Sequence, residues 1–108
     1  MTLDEYQEYA TETRAPAGSF DRSVTIAALG LTGEAGEIAD HIKKYLGQGH
    51  ELARTAIIEE LGDVLWYIVM MSDVLGVTLG EVAKYNLDKL GARYPHGFTT
   101  ERSINRDA

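Results

Sequence analysis

The chain has 108 residues, of which 44% are hydrophobic and 25% are charged, and this balance is typical of one globular domain. It excludes a disordered or collagen-like chain and a pair of independent domains. The longest apolar run, Val64 to Met71, has eight residues, far short of the about 20 that a membrane-spanning helix needs. Because the chain contains no cysteine, disulfides, thiolate metal sites and thiol catalysis are also excluded.

The charge of the chain restricts its partners. Seventeen acidic and ten basic residues give a net charge of −7, which repels nucleic acid polymers and anionic membranes. We therefore expect neither as a partner, and we expect an anionic ligand to need a cation for binding. The N-terminal sequence lacks the basic and apolar segments of a secretory signal, so we expect a cytoplasmic location.

The spacing of apolar residues and the positions of glycine and proline predict four helices and no strand. A capping-box pattern, Thr2 with Glu5, begins the first helix, and Pro16 ends it. A similar pattern begins the fourth helix, and Pro95 ends that one. These signals predict helices over about 3–15, 23–46, 51–75 and 79–94, a loop over 16–22, a single domain over 1–98, and a loosely ordered polar tail over 99–108.

The third helix is the most apolar of the four. Of the 19 residues from Ile57 to Leu75, 13 are aliphatic or aromatic, and they cover nearly its whole circumference. Such a helix needs cover on all sides, which a monomer of four helices provides only in part. We expect an all-α, four-helix-bundle-like fold that oligomerises through this helix.

Two pairs of acids lie within these apolar helices. Glu34 and Glu37 on the second helix, and Glu60 and Asp63 on the third, are each three residues apart and therefore share one face. Both pairs interrupt apolar faces, and no basic residue lies within a turn of the second pair. Carboxylates brought together away from water must take up protons, pair with bases or bind metal. If the two helices run antiparallel, both pairs meet at one site for a hard divalent ion, Mg²⁺ or Mn²⁺.

Glycines accompany these acids, although each costs a helix about 1 kcal/mol relative to alanine. We expect them to permit close approach of another element or access of a ligand. The glycines in question are Gly30, Gly33, Gly36 and Gly62.

A polar stripe lies on the fourth helix. Asn86, Lys89 and Arg93 fall within about 60° of one another on a helical wheel. They form either a clamp for phosphate and sugar or an ordinary basic stripe near a helix C-terminus, where the dipole favours cations. Lys44, two turns after Glu37 on the second helix, is another candidate for phosphate binding.

Four aromatic residues could provide a surface on which a base stacks, and each could equally be packed in the core or in an interface. The sequence does not distinguish among them. They are Tyr6, Phe20, Trp66 and Tyr67.

Three segments together resemble the MazG-like family of all-α nucleoside triphosphate pyrophosphohydrolases. They are L-T-G-E-A-G-E over 31–37, E-E-L-G-D-V-L-W over 59–66, and N-L-D-K-L-G-A-R-Y-P over 86–95. The family pattern is E-x-x-E, a spacer of variable length and E-x-x-D, and here the spacer has 22 residues. The resemblance covers roughly residues 3–98.

The resemblance implies a helical bundle that forms homodimers or homotetramers. It implies Mg²⁺ bound by Glu34, Glu37, Glu60 and Asp63, with either acid of the first pair orienting or deprotonating the attacking water. It also implies that Asn86 and Lys89, with Arg93 and Lys44, contact the phosphates or the sugar. The reaction of the family is hydrolysis of a nucleoside or deoxynucleoside triphosphate to the monophosphate and pyrophosphate, here with a house-cleaning role.

Two other functions stay open at this point. One is hydrolysis of phosphoribosyl-ATP, whose enzyme resembles this family in its bundle and its acids. The other is a noncatalytic helical dimer that binds a metal or a nucleotide.

Overall fold

A computed structural model describes residues 1–106, and within this range the chain is helical and forms no β-sheet. The prediction of an all-α fold is confirmed. The helices are α1 (Leu3–Thr11), α2 (Phe20–Gly47), α3 (Arg54–Val74), α4 (Leu79–Arg93) and α5 (Thr100–Ile104).

The predicted starts of α1 and α4 are confirmed by their caps. The Thr2 hydroxyl accepts a hydrogen bond from the Glu5 N–H at 3.0 Å, and the Thr78 hydroxyl accepts one from the Glu81 N–H at 3.0 Å. Each bond satisfies a backbone donor that the first turn of a helix leaves free.

Other boundaries differ from the prediction. The second helix begins at Phe20 instead of residue 23, because the Ser19 hydroxyl caps it by accepting from the Arg22 N–H. The first helix ends at Thr11 instead of residue 15, where the Ala10 carbonyl accepts both the N–H and the hydroxyl of Thr13. The third helix is one turn shorter than 51–75, since no side chain caps it before Arg54.

The core lies where the four long helices meet, at the C-terminal half of α3. Val69 is fully buried there, beside Met70. Around them pack the buried side chains of Ala10 from α1, Ala27 from α2 and Leu79 from α4. This cluster fixes the helices relative to one another about two turns beyond the acids of α3.

Helix α1 closes the turn between α3 and α4. The Gln7 side-chain amide donates to the Val77 carbonyl at 3.2 Å, and its oxygen accepts the Leu79 N–H at 2.6 Å. One turn earlier, the Asp4 carboxylate accepts the Gly80 N–H at 2.9 Å. These bonds satisfy backbone groups at the start of α4 and hold α1 against the turn between α3 and α4.

Helices α2 and α3 form an antiparallel hairpin, with Gly30 against Tyr67 and Glu34 near Glu60. The single chain is more extended than a compact domain with the same number of residues. Its radius of gyration is 17.0 Å, against about 13 Å for a compact chain of this size. Large apolar side chains face solvent on every helix, and those on α2, α3 and α4 include Leu29, Ile58, Leu61, Tyr85 and Leu87.

No single helix of the described residues has both the length and the apolar character to cross a membrane. Only α3 and α4 taken together reach that length and composition, and their axes are bent by 97°.

The predicted polar tail contains structure. Helix α5 lies within it, capped by the Thr99 hydroxyl, which accepts from the Arg102 N–H at 3.1 Å. The prediction of a loosely ordered tail therefore missed one short helix. The last two residues of that tail, 107 and 108, lie outside the described residues.

Candidate active site

Three of the four predicted acids meet between α2 and α3. One carboxylate oxygen from each of Glu34, Glu60 and Asp63 lies within 4.8 Å of the other two. Glu34 and Glu60 are half-buried, and Asp63 is exposed. The antiparallel hairpin therefore brings together acids that are 26 or more residues apart in the sequence.

Within the described part of the chain no base compensates the charge of this cluster. Among residues 1–106 none of its three acids forms an ion pair. The Oε2 atom of Glu60 is buried without a hydrogen-bond partner in the described part of the chain. A buried carboxylate oxygen without a partner lowers the stability of the folded chain, and binding of a proton or a cation would offset this loss.

Crowding of these carboxyls changes the protonation of Glu34. A protonated Glu34 can hydrogen-bond to the Glu60 carboxyl. This hydrogen bond, with loss of solvent and the charges of Glu60 and Asp63, raises the pKa of Glu34 to about 7. The carboxyl can thus hold or release a proton near neutral pH.

The donor set fits a hard divalent cation. Among the described residues it consists of carboxylate oxygens from two helices, without nitrogen or sulfur ligands, and Glu60 also has a buried oxygen without a partner. Mg²⁺ and Mn²⁺ prefer such ligands and retain positions for water or phosphate oxygens.

The fourth predicted acid, Glu37, is exposed and lies outside the group of three. It is one turn from Glu34 on the same face of α2. The hydrogen bond from Lys44 to Asp40 is the main cause that raises the pKa of Lys44, and the negative charge of Glu37 adds to it.

The ion pair between Lys44 and Asp40 spans 2.9 Å, and Lys43 also contacts Asp40, at 3.1 Å. Hydrogen bonds from these two lysines, with that of Lys44 the stronger cause, lower the pKa of Asp40 to about 2. Lys44 is therefore already neutralised by a partner that a phosphate would have to displace.

Tyr6 of α1 borders the acids. Burial, and secondarily the charge of Asp63, raises the pKa of Tyr6 above its usual value. The sequence singled out Tyr6 only as an aromatic residue, because nothing local indicates that α1 reaches α3.

The predicted polar stripe on α4 lies away from the acids of its own chain. Asn86 and Lys89 are exposed, and Arg93 is half-buried. Helices α3 and α4 diverge at 97° from the turn between them. At 1.5 Å per residue, Asp63 lies about 16 Å from that turn along α3, and Asn86 about 10 Å from it along α4. Side chains do not bridge this separation within one protomer.

The glycines near the acids fall into two groups. Gly30 is needed for close approach, because a Cβ atom there would lie 2.1 Å from Cε1 of Tyr67. The other three have open space where a side chain would begin: Gly33, Gly36 and Gly62.

Comparisons with known proteins show the family of this chain. The sequence profile of the MazG nucleotide pyrophosphohydrolase domain matches residues 22–98. The chain is 36% identical to the Gene 37 protein of Mycobacterium phage L5 over 114 residues, which cover 98% of this chain and all of that protein. It is also 36% identical to the uncharacterized protein YvdC of Bacillus subtilis (strain 168) over 105 residues, which cover 89% and 99% of the two chains. No solved structure matches the chain. The profile match spans both acid pairs and the α4 stripe, and on this basis the chain belongs to the MazG nucleotide pyrophosphohydrolase family.

Proposed function

We propose that this protein hydrolyses nucleoside or deoxynucleoside triphosphates to the monophosphate and pyrophosphate, with Mg²⁺ as the cofactor and Mn²⁺ as a substitute. The observation that carries the proposal is the cluster of three carboxylates with one orphaned buried oxygen, inside a domain of this family. A house-cleaning role, removing noncanonical or surplus nucleotides, follows as the physiological proposal.

Glu34, Glu60 and Asp63 would hold the cation, with Glu37 as a further ligand one turn away on α2. When bound, a divalent cation polarises phosphate oxygens and lowers the pKa of water. The acids themselves orient the attacking water by accepting its hydrogen bonds.

A proton acceptor for this water is available on α2. Glu34 is one candidate, because in the metal-free chain its pKa is raised to about 7 and the carboxyl takes up a proton near neutral pH. Glu37 is the alternative, since it is exposed and adjacent on the same face.

A complete site needs a second copy of the chain. The polar stripe of Asn86, Lys89 and Arg93 stands too far from the acids of its own protomer to contact the same phosphates. The open shape of the protomer and the exposed apolar side chains of α3 support a homodimer or homotetramer. We propose that the stripe of one copy binds the phosphates held at the acids of another.

The role of each cation in the stripe follows from its chemistry. Lys89 and Arg93 would neutralise phosphate oxygens that the cation does not reach, and Asn86 would bind the sugar or a phosphate. Lys44 would join them only after leaving Asp40.

The test is release of pyrophosphate from a panel of canonical and damaged nucleoside triphosphates and phosphoribosyl-ATP, with Mg²⁺ and with a chelator. We expect turnover with Mg²⁺ and loss of turnover in Glu60→Gln. Glu59→Gln is the matched control, since Glu59 is the adjacent exposed acid outside the cluster. If the protein hydrolysed only phosphoribosyl-ATP, that compound and not a nucleoside triphosphate would be its substrate. Equal background in wild type and both variants would favour a noncatalytic binding protein.

A further inference from the structure

A polar cleft of about 460 Å³ opens between the end of α4 and α5. Its size lies within the range of small-molecule sites in proteins, about 300–1,000 Å³. Three arginines line it, and we call it the arginine cleft. Arg93 is the last residue of α4, Arg102 lies in α5, and Arg106 follows that helix.

The turn between the two helices holds α5 against the end of α4. Gly97 has a φ of 91°, a conformation that favours glycine, and its N–H donates to the Tyr94 carbonyl at 3.1 Å. The rings of Tyr94 and Phe98 pack together, with their centroids 5.4 Å apart. Arginines from two different helices therefore meet at a cleft whose connecting turn is fixed by its own contacts.

The charge of this cleft is opposite to that of the whole chain. Glu101 is the one acid among the described residues that line it, so three positive charges meet one negative charge in a chain of net charge −7. None of the three arginines forms an ion pair within residues 1–106. The C-terminal end of the α4 dipole supplies about half a negative charge, which offsets only part of the excess. The arginine cleft therefore attracts an anion.

The lining suits linked phosphates better than a nucleoside base. Among the described residues no aromatic side chain lines the cleft, so a base would find no ring on which to stack. An arginine guanidinium donates two parallel hydrogen bonds to a pair of phosphate oxygens. The Thr99 hydroxyl and the Asn105 amide also line the cleft and add polar groups. Three guanidiniums together match the several oxygens of a phosphate chain.

The arginine cleft continues the polar stripe of α4, because Arg93 belongs to both. At 1.5 Å per residue, Asn86 lies about 10 Å before Arg93 along the helix. Arg102 and Arg106 lie on the next element of the chain, across the cleft from the end of α4. A nucleotide that binds along the stripe with its sugar at Asn86 therefore extends its phosphate chain toward the cleft.

We propose that the arginine cleft binds the β- and γ-phosphates of the substrate, the part that leaves as pyrophosphate. Arg102 and Arg106 would contact these phosphates, and they come from the same copy of the chain as the α4 stripe. The proposal rests on the proposed function. Both arginines lie beyond residue 98, where the match to the family ends, so their assignment depends on the cleft itself.

The test measures the binding of three anions by calorimetry in the presence of Mg²⁺. Inorganic pyrophosphate represents the β- and γ-phosphates, orthophosphate represents any single phosphate, and a deoxynucleoside monophosphate has the sugar and the α-phosphate only. The variant is Arg102→Gln. Arg54→Gln is the matched control, because Arg54 is also an exposed helical arginine and does not line the cleft.

We expect Arg102→Gln to weaken pyrophosphate binding at least about tenfold and to leave binding of the monophosphate unchanged. Arg106→Gln should show the same selectivity, and Arg54→Gln should change neither ligand. Glu101→Gln removes the acid of the cleft and should strengthen pyrophosphate binding.

Two results would overturn the assignment. Equal pyrophosphate affinity in Arg102→Gln and Arg54→Gln would show that only the overall charge matters. Orthophosphate binding as tight as that of pyrophosphate in wild type would show a site for one phosphate and not for a linked pair.

The outcomes also separate this proposal from the one it rests on. If wild type hydrolyses nucleoside triphosphates and Arg102→Gln binds pyrophosphate as wild type does, only the cleft assignment fails. If wild type hydrolyses no nucleotide of the panel, the proposed function fails and the role of the cleft in substrate binding fails with it. Weaker pyrophosphate binding in Arg102→Gln would then still identify the cleft as an anion site.

Discussion

The ring of Tyr67 on α3 lies directly against the backbone of Gly30 on α2. A Cβ atom added to Gly30 would be 2.1 Å from Cε1 and 2.3 Å from Cζ of that ring. This contact sets the spacing of the two helices one turn from the acids, so that Glu34 and Glu60 approach each other at the distance the structure shows.

Gly30→Ala should therefore destabilise the protein by about 1–3 kcal/mol, because the new methyl group forces the ring or the helix to move. Gly33→Ala on the same helix, where a Cβ meets no atom within 4 Å, should be neutral or stabilising by up to about 1 kcal/mol. Urea unfolding measures both. Equal effects would show that the close approach at Gly30 does not determine the packing.

Metal-free protein should lose stability as the pH rises from about 5 to 8. The pKa of Glu34 is about 7 in the folded chain and 4.5 as the ordinary value. The folded state thus binds the proton more tightly than the unfolded state, and proton binding adds to the free energy of unfolding. This contribution is complete below the pKa of the unfolded chain and is lost as the pH rises past the pKa of the folded chain. Thermal unfolding in chelator at several pH values measures the decline. Glu34→Gln should reduce it, and an identical decline in both proteins would contradict the assignment.

Gln7→Ala should lower stability by about 1–3 kcal/mol, because it leaves backbone groups at the α3–α4 turn without partners. Both polar atoms of the Gln7 side chain are used there, at Val77 and Leu79. Glu8→Ala, at the adjacent exposed position, is the control and should be within about 0.5 kcal/mol of wild type. Denaturant unfolding compares the two, and similar losses would argue against the role of Gln7.

Removal of Mg²⁺ should weaken binding of a nucleoside triphosphate at least about tenfold. The net charge is −7, and three carboxylates meet at the proposed site, where no described residue forms an ion pair with them. Without a cation they repel the phosphates. Calorimetry with an uncleavable analogue, with Mg²⁺ and with chelator, gives the ratio. Equal affinities would exclude a complex bridged by metal.

Two inactive variants should restore activity when mixed, if the site is shared between copies. Glu60→Gln removes a carboxylate from one copy, and Lys89→Ala removes a cation that would come from the other. After unfolding and refolding together, random pairing should give about a quarter of wild-type activity, since half of the dimers carry one intact site. Activity that stays at the level of the separate variants would place Lys89 and Glu60 in the same protomer or outside a common site.

The sequence predicted the elements of this fold well wherever a local signal defines them. The caps at Thr2 and Thr78 are short-range patterns, and both are confirmed. The start of α2 differs from the prediction, because apolar spacing alone indicates residue 23, whereas Ser19, a preferred N-cap residue, caps the helix three residues earlier. The end of α1 depends on the competition of Thr13 for a carbonyl, which helical periodicity does not reveal.

The candidate site was predictable only in part, because local spacing determines some of its contacts and not others. Spacing of three along a helix puts Glu60 and Asp63 on one face, but only the register of the hairpin decides which acid of α2 meets them. The structure brings Glu34 to that pair and leaves Glu37 exposed. The hydrogen bond from the Trp66 indole to the Thr13 hydroxyl joins residues 53 positions apart, and local spacing gives no sign of it.

The bonds between α1 and the α3–α4 turn join residues 70 to 76 positions apart, whereas α2 and α3 are neighbours in the chain. Closing a long loop costs more entropy than closing a short one, so we expect the α2–α3 hairpin to form early during folding and α1 to dock late. Amide hydrogens at the start of α4, which depend on Asp4 and Gln7, should then exchange sooner than those around Val69. The N-terminal residues of the chain therefore act as a latch on the turn between α3 and α4. Their release would loosen this turn before the α2–α3 hairpin unfolds.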